Sequence, residues 1–117
     1  MQIRFDHGPN TDACQFAQPE RLIVAQTPEE VPVALAALDE ARAEGFWLAG
    51  FASYELGHAL EPRLASSMPA SRRLPLLQFG TYAAPIKAAP LKAGQASLGD
   101  LVPDWDQARY ARAFQAV

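Results

Sequence analysis

A chain of 117 residues is long enough to bury one hydrophobic core and too short for two comfortable ones, so one domain or part of one is expected. Half of its residues are hydrophobic and 20% are charged, with a net charge of −3, which is the balance of a folded protein rather than a disordered one. The 10 basic residues are outnumbered by 13 acidic ones and form no stripe, which argues against a nucleic-acid partner.

Residues 1–6 (MQIRFD) read as a short strand with Ile3 and Phe5 on one face, and Asp6-His7-Gly8-Pro9-Asn10 supplies the turn chemistry of a hairpin or tight loop. His7 reads as a solvated loop residue, with no second histidine near it in sequence. Arg21 to Gln26 form a second strand, apolar at its centre. Thr27-Pro28-Glu29-Glu30 then starts a helix, with Thr27 as N-cap, Pro28 in the first turn and Glu30 placed to close a capping box. Val31, Leu35 and Leu38 carry the apolar stripe to about Glu44. Pro32 lies too deep for a clean first turn, so either that turn is distorted or the regular helix begins there. Gly45 ends the helix where a left-handed C-cap is easiest.

The stretch Gly45 to Pro62 (GFWLAGFASYELGHALEP) is the longest with almost no polar side chain, and it is expected to be the central strand. Alternation places Phe46, Leu48, Gly50 and Ala52 on one face and Trp47, Ala49 and Phe51 on the other, both apolar, as a strand covered on two sides requires. Residues 63–73 read as an exposed loop whose Arg63, Arg72 and Arg73 are solvated. Leu74 to Tyr82 is a further strand, and residues 83–103 are either a last short strand or a linker. Asp104 opens a final helix with Tyr110, Phe114 and Val117 on one stripe. A chain that stops inside such a helix is expected to be the front of something longer. These elements make an α+β fold, an antiparallel or mixed sheet from strands near residues 2–6, 21–26, 46–54 and 75–82 with the helix of residues 28–44 on one face.

No apolar run reaches the roughly 18 to 20 residues that span a bilayer, and the first residues lack the pattern of a signal peptide, so a cytoplasmic protein without membrane contact is expected. Cys14 is the single cysteine, cannot form an internal disulfide, and reads as a spectator thiol. Glu55-x-x-His58 with Glu61 has the spacing of a diiron ligand pair but no second copy, and Gly57 weakens the short helix it would need. Ser53 lacks the G-x-S-x-G elbow, and neither a P-loop nor G-x-G-x-x-G occurs. No catalytic or metal-ligating residue is assigned.

The helix TPEEVPVALAALDEA, then GFWLAGFASYELGHALEP, LPLLQFGTYAAP and PDWDQARYARAFQAV, taken in that order, resemble the amino-terminal region of aminodeoxychorismate synthase component I, in the anthranilate synthase component I superfamily. The second block is similar to that family's glycine-rich strand ending in Tyr-Glu, here Tyr54-Glu55, and the last is similar to the helix that opens its chorismate-binding domain. The resemblance covers nearly the whole chain. It implies an amino-terminal non-catalytic domain over residues 1–103 and the first helix of a chorismate-binding domain over residues 104–117.

The implied parent enzyme aminates chorismate to 4-amino-4-deoxychorismate for 4-aminobenzoate and folate biosynthesis. Its ammonia comes from a glutamine amidotransferase partner, and it uses Mg2+. The family's catalytic and magnesium-binding residues lie in the carboxy-terminal domain, so this chain alone is expected to hold no cofactor and to have no synthase activity. Relatives use the amino-terminal domain as a tryptophan pocket. Ile3-Arg4-Phe5-Asp6 stands in the place of its Leu-Leu-Glu-Ser-like strand, without the serine, and makes Phe5, Asp6, Tyr54 and Glu55 the implied ligand-binding candidates. The alternative is a small independent α+β module that binds an amino acid or a partner. Apolar surface left by an absent carboxy-terminal domain, including the Tyr110-Phe114 stripe, is expected to favour a homodimer.

Overall fold

The computed structural model describes residues 1–9, 12–91 and 94–116. Six strands and three helices follow in chain order: β1 (Ile3–Phe5), β2 (Cys14–Phe16), β3 (Arg21–Ala25), α1 (Val31–Ala43), β4 (Trp47–Ala52), α2 (Leu56–Leu60), β5 (Leu77–Tyr82), β6 (Ile86–Lys87) and α3 (Gln107–Gln115). The α+β class is as expected, but the strands form two antiparallel three-stranded sheets, in the orders β1-β2-β6 and β3-β5-β4, rather than one.

The helix begins as its first residues dictate. The Glu30 carboxylate accepts from the backbone N–H groups of Gln26 (2.6 Å) and Thr27 (3.2 Å), satisfying donors that a helix start leaves free. Two prolines so close together distort the entry. Pro28–Glu30 form a 3-10 turn, and the α-helix proper starts at Val31, one residue before Pro32. Gly45 ends the helix at φ 91°, in the left-handed region where a side chain would be strained, and Phe46 N–H closes the last turn on Ala41 O (3.0 Å).

The central strand of the larger sheet is β5, not β4. β4 lies at an edge, pairing among the described residues only with β5, from Trp47↔Tyr82 to Ala52↔Leu77, while β3 pairs with the other side of β5 from Arg21↔Thr81 to Ala25↔Leu77. The apolar character of both faces of β4 has the cause expected of it, for the sheet is covered on two sides. On one, Ile23, Ala25, Leu77 and Phe79 pack with Val31, Ala34 and Leu38 of α1 and Leu56 and Ala59 of α2. On the other, Ala49 and Tyr82 pack with Ile3, Cys14 and Phe16 of the small sheet. Coverage of faces and position within the sheet are independent, and alternation reports only the first.

Two glycines make close packing possible. Gly50 sits opposite Phe79, and a Cβ there would collide with Gln78 O and lie 2.6 Å from Phe79 Cα and Cγ. Gly80 lies under the Tyr82 ring on the opposite face, where a Cβ would meet the Tyr82 hydroxyl oxygen at 2.6 Å.

After β4 the chain turns into α2, and a 3-10 segment, Pro62–Ser67, then occupies the start of the stretch expected to be a plain loop. Arg72 is not free in solvent either. Its guanidinium donates to Gln26 O (2.6 Å) and Pro69 O (3.3 Å), tying the loop to the end of β3. Arg63 and Arg73 are exposed, as expected. Of the two alternatives for residues 83–103, the strand is realised as β6, on Cys14↔Lys87 and Gln15↔Ile86. From Gly94 to Gln115 every residue except Ala113 is exposed, Tyr110 at 64% and Phe114 at 73% among them. Val117, the third member of that expected stripe, and Asn10 of the expected turn lie outside the described residues.

Candidate functional site

The short β1–β2 hairpin sets an aromatic cleft against the start of β4. Phe5 meets Phe16 edge-on, with centroids 6.0 Å apart at 90°. Phe16 in turn lies 5.2 Å from Tyr82 and 6.3 Å from Trp47. Phe5, Phe16 and Trp47, with His7, Gly8, Pro9 and Leu48, line an open cleft of about 370 Å³. Gly8 lets the loop lie directly on β2, because a Cβ there would collide with Cys14 Sγ and sit 2.9 Å from Asp12 O. Phe5 (41% exposed) and Trp47 (39% exposed) leave part of each ring open to solvent, so the cleft offers flat apolar walls and one imidazole. Such a surface suits an aromatic or aliphatic ligand.

The four candidate residues do not share one cavity. Phe5 and Asp6 lie at the Trp47 end of β4, and the Asp6 carboxylate is held by Arg4 at 2.9 Å, on the protein surface. Tyr54 and Glu55 follow the opposite end, about 17 Å away along a six-residue strand. Tyr54 is 90% exposed, with its ring 6.3 Å from that of His58. Glu55 opens α2 and lines a separate cavity of about 250 Å³ with Ser71, Arg72, Arg73 and Leu74. Nearby, Ser53 Oγ, His58 Nδ1 and Arg72 Nε are buried without a hydrogen-bond partner among the described residues. Glu55, His58 and Glu61 do not converge, and among the described residues no group of three or more His, Cys, Asp or Glu is placed to hold a metal ion.

Of the residues that line the cleft only Phe5 is a candidate from the sequence; Trp47 is expected there only as a strand residue and His7 only as a loop residue, and Phe16 is missed altogether. Its strand is only Cys14-Gln15-Phe16, and the single available signal was one apolar-polar-apolar triplet between turn residues.

Tyr82 stands behind the cleft with its hydroxyl buried and without a partner among the described residues. Burial raises its pKa above the ordinary value of 10.0 by penalising the phenolate. Above pH 10 the unfolded chain therefore releases a proton that the folded one keeps, and stability falls as pH rises toward the folded-state value. Urea titrations from pH 7 to 11 should show wild-type stability declining above about pH 10 more steeply than that of Tyr82→Phe. At pH 7 the variant should be at least as stable, since the deleted hydroxyl carries an unmet desolvation cost of about 1–3 kcal/mol.

Among the described residues no helix is long and apolar enough to cross a membrane. Comparison of the chain with protein-family models, with curated proteins and with solved structures returned no match.

Proposed function

We propose that this chain is the amino-terminal scaffold of a cytoplasmic, chorismate-aminating enzyme of the aminodeoxychorismate synthase component I type. Its role is to pack against a carboxy-terminal chorismate-binding domain and to present a surface to a glutamine amidotransferase subunit. The observation that carries the reading is α3. It is an amphipathic helix whose Tyr110 and Phe114 are exposed, as suits the first helix of a second domain whose core takes up that stripe. The radius of gyration supports it too, at 18.6 Å against about 13 Å for a compact chain of this length. Among the described residues no group of three or more His, Cys, Asp or Glu is placed to hold a metal ion, and on this reading the Mg2+ and the chemistry are those of the second domain.

Incubated with chorismate, Mg2+ and ammonium, the 117-residue chain should form no aminodeoxychorismate detectable by liquid chromatography. The gene itself is the sharper test. An in-frame chorismate-binding domain after codon 117 supports the scaffold, and a stop codon there overturns it.

The aromatic cleft favours a second reading, an independent module that takes an amino acid or a partner. Calorimetric titration with tryptophan tests the cleft: heat that disappears in Trp47→Ala places a ligand there, and together with a stop codon after codon 117 it supports the module over the scaffold, while no heat removes the amino-acid reading.

A further inference from the structure

Among the described residues β3 is an edge strand, and the edge it leaves unpaired is apolar. Ile23 and Val24 both line one groove of about 430 Å³ with Val33, Ala34 and Ala37 of α1, and with Glu29 and Glu30. Successive side chains of a strand point to opposite faces, so a groove that touches both runs along the strand's edge. Leu22 (51% exposed) and Val33 (73% exposed) extend the apolar surface beside it. Edge strands are ordinarily blunted by a central charge, a proline or a bulge. Leu22-Ile23-Val24 has none of these, and its one charged residue, Arg21, stands at the end.

We propose that this edge is the contact of a symmetric homodimer, in which β3 pairs antiparallel with β3 of a second copy about a two-fold axis at Ile23. The two larger sheets then join into one of six strands. Leu22 lies opposite Val24 of the second copy, and the exposed Val33 side chains flank the seam. Charge selects a second copy as the occupant. The axis brings the Arg21 end of one strand to the Ala25 end of the other, where the chain continues into the exposed Glu29 and Glu30. Arg21 already pairs with Glu44 of its own chain at 2.9 Å, but a guanidinium has five N–H donors and is half exposed here. The symmetry makes this complementarity twice over.

The dimer does not depend on the scaffold reading, which a monomeric chain would leave standing. In sedimentation equilibrium the wild-type chain should show twice its mass of 12.7 kDa. Leu22→Lys and Val33→Glu, both at exposed positions, should raise the dimer dissociation constant at least tenfold while leaving the circular dichroism spectrum unchanged. A second experiment reads the register. In a Cys14→Ser background, Leu22→Cys mixed with Val24→Cys should form a disulfide-linked dimer under oxidation, because opposed residues lie about 5 Å apart at Cα. Either variant alone should not, since identical positions of the two copies are then two residues out of register, which with the spacing between strands puts their Cα atoms about 8 Å apart, beyond disulfide reach. A monomer at every concentration overturns the proposal. So does a dimer that ignores both surface substitutions, or cross-linking no better in the mixture than in either variant alone.

Discussion

Gly50→Ala should cost about 3 kcal/mol of stability, the upper end of what overpacking a core strand does. The added methyl group would occupy space held by Gln78 O and by Phe79 Cα and Cγ, the latter two at 2.6 Å. Two of those three atoms belong to the backbone of β5, so no side-chain rotation relieves the contact. The β4–β5 pairing must open at Gly50↔Phe79, and with it the register that runs from Trp47 to Ala52. Gly57→Ala is the internal control. A Cβ there meets nothing within 4 Å, and within α2 the substitution should add about 0.5–1 kcal/mol by removing backbone freedom from the unfolded chain. Urea denaturation of the two variants beside wild type checks both signs. A Gly50→Ala protein as stable as wild type would show that β4 and β5 are not packed this closely.

The second large effect is expected at Leu77. It is 1% exposed and packs with Ala25, Val31, Ala34 and Leu76 where α1 meets the sheet. Its strand neighbours are Ala25 and Ala52, side chains too small to collapse into a void. Leu77→Ala should therefore lie within the usual range of about 2–5 kcal/mol for such truncations, and toward its upper half. Against a typical total of about 5–15 kcal/mol, that is enough to leave a substantial unfolded fraction. A fall in Tm of roughly 4 °C per kcal/mol would register it in calorimetry.

Local chemistry was the legible part of this sequence. Thr27, Pro28, Glu30 and Gly45 announce the two ends of α1 because caps act over three or four residues, and the alternation over residues 46–52 announces β4. β2 is hidden and β6 stays one of two alternatives for residues 83–103, as strands of three and two residues carry too few side chains to establish a period. Their existence depends on pairing across more than 70 residues, Cys14 with Lys87, which no local pattern encodes. The same limit moved the centre of the sheet. A strand clothed on both faces reads alike whether it has one hydrogen-bonded neighbour or two, so β4 was taken for the middle strand while β5 held that place. At the candidate site, Phe5 and Trp47 were visible as aromatic side chains at strand ends. That Phe5 meets Phe16 while Tyr54 and Glu55 stand at the other end of β4 follows from the stacking of two sheets, a long-range fact.

The order β3-β5-β4 also bears on how the chain folds. β3 and β4 run parallel to each other, joined through α1, and leave a gap that β5 fills last. Three residues later the same segment supplies β6 and finishes the small sheet. During synthesis, β3 and β4 therefore wait without their central partner until Tyr82 has emerged, and the small sheet lacks its third strand until Lys87 has. Closing loops of that length has an entropic cost that the contacts of residues 77–87 must offset, so this topology folds more slowly than its local contacts alone would allow.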